Sequence, residues 1–204
     1  MTRKKKEVLQ EMLKDCDKLI WVSGYRLILT RELKDDIAKA VIRDAKLTAV
    51  ICPPWTEAFK MVYGENEKVM DNYYQVMHSI YKARVECKKD GERYDDDFKI
   101  LFVNKPLFSD TYRVDQNLIT GPYMHNSDPD YHRMMAKDFF SYTIVRDTEL
   151  YDIVDGEFKT LCNEAIYKLD WRKFEEAYET VENSDLREVE KVEMMKGICV
   201  SVGK

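Results

Sequence analysis

Lys18-Leu19-Ile20-Trp21-Val22-Ser23-Gly24 is a short apolar run ending in small residues, and it reads as a buried strand opening into a loop. On its amino side Val8, Leu9, Met12, Leu13 and Cys16 fall at helical spacing. On its carboxyl side Leu33, Ile37, Ala38, Val41, Ile42 and Ala45 do the same over residues 30–45, with Thr30 placed as an N-cap. Leu47 to Cys52 is a second apolar run, stopped by Pro53-Pro54. Helix, strand, helix and strand in that order predict a parallel pair joined by a right-handed crossover, and therefore an α/β fold. In such sheets ligands collect outside the carboxyl ends of the strands. Those ends are Ser23-Gly24-Tyr25 and Pro53-Pro54-Trp55.

Further along, residues 56–86 carry a helical apolar face with a break near Gly64, and Phe98 to Val103 is a third strand. Thr111 to Asp115 and Leu118 to Tyr123 form two short strands about a turn at Gln116-Asn117. Asp138 to Val145, rich in aromatic and β-branched residues, is a further strand. Asp147 or Thr148 then caps a helix carrying Leu150, Ile153, Val154, Phe158, Leu161, Cys162, Ile166 and Leu169, in which Gly156 costs about 1 kcal/mol relative to alanine. Trp171, Phe174, Ala177, Tyr178 and Val181 mark an amphipathic helix, and Leu186, Val189 and Val192 a weaker one. The expected organisation is an α/β domain over residues 1–170, a mixed sheet flanked by helices, with a helical tail over 171–204.

With 45% hydrophobic and 35% charged residues, the chain has a globular balance. No apolar run approaches the roughly 20 residues that cross a bilayer, and no apolar segment follows the basic start, so no membrane association is expected. The five cysteines are odd in number and form no CxxC pair, which suits reduced thiols in a cytoplasm; Cys16, Cys52 and Cys162 fall in apolar patterns as small core residues. The net charge of −5 argues against generic nucleic-acid binding. Lys4-Lys5-Lys6 reads as a solvated helix start.

The stretch Thr111 to Glu164 resembles the second part of a phospholipase-D-like half domain. That superfamily carries His-x-Lys, four residues, Asp, and then a Gly-Ser or Gly-Thr pair, followed by a strand and a helix containing Phe. Asp115, the hydrophobic strand Leu118-Ile119-Thr120, Gly121, the run Phe139 to Ile144 and the helix with Phe158 fall close to that layout. The opening strand-helix-strand extends the resemblance over most of residues 7–169. The catalytic positions depart from it: Phe108 stands at the His position, Asp110 at the Lys position and Pro122 at the Ser position. The resemblance therefore implies a non-catalytic domain. Such domains serve as regulatory ligand sensors, with prokaryotic or phage stress and defence regulation among the contexts it suggests. It also implies pairing of two halves, hence a homodimer in which the tail helix covers the sheet flank or crosses to the neighbour.

The candidate site gathers Tyr25, Lys105, Arg113, Thr120, Tyr123 and His125 at the strand ends. A lysine, an arginine and hydroxyls at the mouth of a parallel sheet suit a phosphate or carboxylate, and so a small anionic ligand. Arg26 and Arg31, after the first strand, are placed to join it. The alternative is that Arg113 pairs with Asp110 or Asp115 across the hairpin. His125 and His132 flank Asp128 and Asp130, which are metal-ligand types, but the spacing enforces no convergence; the segment reads as a surface loop or pocket rim, and no metal or cofactor is expected. His78, among Tyr73, Tyr74, Met77 and Tyr81, reads as packed at a helix surface. No Walker loop, GxGxxG, GxSxG or HExxH occurs. Three functions follow: a binding or sensor domain for a phosphate-bearing or nucleotide-like molecule; a phosphodiesterase or nuclease with a rebuilt site, using His125 or His132; and a protein-interaction module acting through the acidic surface and tail.

Overall fold

The computed structural model describes residues 4–64, 67–87, 96–123 and 141–201. The strands are β1 (Leu19–Gly24), β2 (Lys46–Ile51), β3 (Phe98–Phe102), β4 (Ser109–Val114), β5 (Asn117–Pro122), β6 (Tyr142–Ile144) and β7 (Tyr167–Lys168). They form one mixed sheet in the order β6-β5-β4-β1-β2-β3-β7. β1, β2 and β3 are parallel, as their apolar runs predict, because helices cover both of their faces. The hairpin β4-β5 adds antiparallel beside β1, with Trp21 opposite Arg113 and Ser23 opposite Thr111.

Alternation along each strand sorts the side chains between two faces. Ile20, Val22, Leu47, Ala49, Ile100, Tyr112 and Val114 enter the main core, closed by α1 (Lys5–Lys14), α3 (Lys34–Ile42), α5 (Glu67–Cys87) and α7 (Trp171–Glu182). Tyr25, Val50, Leu101 and Val103 lie on the other face, with Phe59 of α4 (Glu57–Tyr63) and Phe158 and Leu161 of α6 (Glu149–Asn163). Thr148 caps α6, its hydroxyl accepting from the Tyr151 amide at 3.3 Å.

The predicted helix over 30–45 is two helices, α2 (Ile28–Glu32) and α3, meeting at Leu33, whose ψ of 18° is not helical. Thr30 is buried inside α2 and caps nothing. The helix expected to run to Leu169 stops at Asn163, and β7 follows it; two strand residues are too few to break a helical apolar spacing. The Asp138–Val145 strand is only β6 among the described residues. Cys16 and Cys52 are buried, whereas Cys162 is half-buried.

Two sequence expectations change more deeply. Lys5 is buried rather than solvated, and its ammonium lies 2.8 Å from Asp110 and 5.1 Å from the centre of the Tyr112 ring. The tail is part of the main core: Trp171, Phe174, Tyr178 and Val181 are all buried, and α8 (Glu188–Ser201) adds Met195 and Cys199. The indole of Trp171 donates to the Phe98 carbonyl, and Glu175 pairs with the fully buried Arg84 of α5. The tail thus packs on its own sheet. Among the described residues no helix is long and apolar enough to cross a membrane.

Candidate functional site

The direction of β4 separates the residues grouped at the strand ends. Arg113 lies opposite Trp21, near the amino end of β1, whereas Tyr25 lies just past its carboxyl end. Both are on one face of the sheet, but four strand residues at about 3.3 Å each put them about 13 Å apart. A single pocket holding both is therefore corrected to two separate places.

At the carboxyl end the expected ligand groups are already occupied by the protein. The Tyr25 hydroxyl accepts from the Leu107 amide at 2.6 Å, and its ring meets Phe59, Tyr63 and Tyr123 edge-on. Burial raises the Tyr25 phenol to about 12. The Tyr123 hydroxyl accepts from the Tyr25 amide at 3.1 Å and sits so close to Gly24 that a Cβ there would lie 2.6 Å from it. Thr120 shares a hydrogen bond with Thr111 at 2.9 Å. Lys105 is exposed and paired with Glu164. Arg31 is half-buried and bonds Gln75. Arg26 is half-buried, and its Nε has no hydrogen-bond partner among the described residues. His125 and His132, with Asp128 and Asp130, lie outside the described residues. His78 is half-buried and shares a hydrogen bond with Tyr178.

Arg113 lines a cleft of about 480 Å³ at the amino end of β1. Lys18, Arg146 and Lys159 also line it, as do Asp115, Asp147, Asp152 and Asp155. Its charges balance, four of each sign. The Arg113 guanidinium lies 4.5 Å from the centre of the Trp21 ring and 5.6 Å from that of Tyr151. Trp21 stacks in turn on Phe158, at 4.8 Å and 6°. Two ring contacts on one cation limit the orientations open to the guanidinium.

The carboxylate partner of Arg113 is neither Asp110 nor that of Asp115. Its Nε donates to the Asp115 backbone carbonyl at 2.8 Å, and its Nη1 pairs with Asp155 of α6. Asp110 is on the opposite face of the sheet with Lys5. The Asp115 carboxylate accepts from the amides of Asp17, Lys18 and Leu19 at 3.3, 3.1 and 2.9 Å, tying the hairpin turn to the start of β1. The position matched to the superfamily's Asp is thus a clamp in this chain. Phe108, at the His position, is 76% exposed.

Trp21, Tyr151, Asp155 and Lys159 were missed from the sequence. A signal existed for three of them, since residues 151, 155 and 159 recur every four positions and so share one face of the helix.

No family model matches the chain, and no curated protein matches it. Among solved structures it is similar to TrmBL2, an archaeal chromatin protein whose structure shows a novel mode of DNA binding. The identity is 13% and the TM-score 0.47; the match covers 80% of this chain and 51% of that one. The chain thus spans about half the length of that protein. The expectation of no generic nucleic-acid binding is not kept; the DNA binding named here is that of TrmBL2 itself. Net charge sums over a whole surface and does not exclude a local basic face.

Proposed function

We propose that this chain is a non-catalytic, phospholipase-D-like binding or sensor domain for a phosphate-bearing, nucleotide-like small molecule. Its site is the cleft of Arg113. The observation that carries this reading is the Arg113 guanidinium 4.5 Å from the centre of the Trp21 ring and 5.6 Å from that of Tyr151, in a cleft that also holds Lys18, Arg146 and Lys159. Cations there suit phosphate oxygens, the ring faces suit a base, and Asp147 and Asp152 suit hydroxyl or amino donors. A cleft with both signs of charge fits a ligand that brings both anionic oxygens and donors.

The experiment is thermal unfolding with AMP, ATP, inorganic phosphate and a duplex DNA oligonucleotide, repeated on Arg113→Met. Ligand at a hundred times its Kd stabilises the folded state by about 2.7 kcal/mol. A rise in Tm with a nucleotide that is lost in Arg113→Met is the expected result. No rise with any small phosphate compound at millimolar concentration overturns the reading, and a rise with DNA alone replaces the small ligand by a polymer.

A further inference from the structure

Asp155 bridges two cations of the cleft. Its Oδ1 pairs with Arg113, and its Oδ2 lies 2.8 Å from Lys159. The guanidinium is fixed from the sheet side by the Asp115 carbonyl and the Trp21 ring, so it does not depend on Asp155 for its position. A carboxylate with one oxygen on each of two cations does what two oxygens of a phosphate would do.

The helix that delivers Asp155 is lightly seated. Of the 15 residues of α6 only Tyr151, Phe158 and Leu161 are buried. Gly156 follows Asp155 directly and faces open space, and glycine within a helix costs about 1 kcal/mol relative to alanine. The floor beneath α6 mixes hydroxyls with apolar side chains. A gap that shares Trp21, Arg113 and Asp155 with the cleft runs under the helix to Thr111 and Leu118. A second gap, of about 10 Å³, continues it to Ser23, Ser109 and Leu107. The hydroxyls lend the helix less apolar adhesion than hydrocarbon would in their place.

We infer that Asp155 is the built-in occupant of the cleft, and that its ligand is a phosphomonoester that takes the place of the Asp155 carboxylate between Arg113 and Lys159 and loosens α6. This rests on the binding function proposed above and names its ligand class and its response. A monoester dianion offers each cation an anionic oxygen, as the carboxylate does. A neutral nucleoside offers neither cation a charge and cannot displace Asp155. Release of Asp155 removes the polar tie of α6 to β4, which turns occupancy of the cleft into motion of one helix.

Calorimetric titration of AMP and of adenosine into the wild type and Asp155→Asn tests this, with hydrogen exchange of residues 149–163 in the wild type under saturating AMP. Asp155→Asn is expected to bind AMP at least tenfold more tightly, with adenosine unchanged, and AMP is expected to speed exchange in α6. If the wild type binds AMP but a folded Asp155→Asn binds it no more tightly, the inference fails and the binding function stands. If Asp155→Asn does not fold, exchange in the wild type decides, and unchanged or slower exchange in α6 overturns the inference. If neither protein binds AMP, the inference fails, and the binding function fails with it only if ATP and inorganic phosphate also leave the Tm unchanged. Binding by Asp155→Asn alone supports displacement.

Discussion

The ammonium of Lys5 lies 2.8 Å from Asp110, with the Lys5 side chain wholly removed from water and that of Asp110 nearly so. It also donates to the Asp110 carbonyl at 3.3 Å, so the first turn of α1 is fastened to β4 by one charged contact. Burial pulls the Lys5 amine down and pushes the Asp110 carboxyl up, each opposed by the partner's charge. Asp110→Ala strands a buried cation and is expected to cost about 3–5 kcal/mol. The pair Lys5→Met with Asp110→Leu removes both charges and is expected to recover most of that. Urea denaturation of the three proteins measures it; additive losses in the double variant would show that the two residues act independently.

Asp115→Ala is expected to destabilise by about 1–3 kcal/mol, because three amides at the start of β1 lose their acceptor. Asp115 also has a φ of 51°, a left-handed conformation that glycine adopts freely. Asp115→Gly should therefore lose the bonds while relaxing the backbone, and fall between wild type and alanine. Chemical denaturation of both variants checks the order.

Gly24→Ala would place a Cβ 2.6 Å from the Tyr123 hydroxyl and 2.9 Å from Leu27 Cδ2. Overpacking of this kind costs about 1–3 kcal/mol. Tyr123→Phe deletes the nearer clashing atom, so Gly24→Ala is expected to cost less in that background. A double-mutant cycle with no coupling energy would place the strain elsewhere.

His78 joins α5 to α7 through Tyr178, and burial holds its imidazole below the ordinary value of 6.5. Lys82 and Lys34 push the same way, and Glu182 opposes them. The unfolded chain then binds the proton more readily than the folded one. Stability from this group is complete above pH 6.5 and falls as the pH drops from there to the lower folded value. Urea midpoints between pH 8 and 5.5 should decline on the acid side in the wild type and lie flatter in His78→Gln. Equal slopes would assign the decline to other groups.

The element order was legible because apolar alternation and helical period are local signals. The burial of Lys5 was not, because its partner Asp110 lies 105 residues away and a charge run looks solvated until a carboxylate is brought to it. The site was half legible. Arg113 was singled out for its charge, but the hairpin's antiparallel return put it at the amino end of β1, and no count of residues within one strand reveals that. Tyr25 and Tyr123 were read as ligand groups because hydroxyls follow a strand; in the fold each accepts a backbone amide that would otherwise be buried unpaired. Asp155 was overlooked because an acid on the polar side of an amphipathic helix resembles any other solvated acid.

The main core joins Leu9 to Cys199, and the Tyr73 hydroxyl donates to the Cys199 carbonyl at 3.2 Å. During synthesis on the ribosome the sheet is complete in sequence by Lys168, while the surface that receives Trp171, Phe174 and Tyr178 has nothing to cover it. A nascent chain paused between those points displays an apolar groove, which is a target for chaperones and a hazard for aggregation. Premature termination in α7 is therefore expected to yield a protein cleared by proteolysis rather than a shortened working domain, and contacts of such long sequence separation place folding among the slower α/β cases.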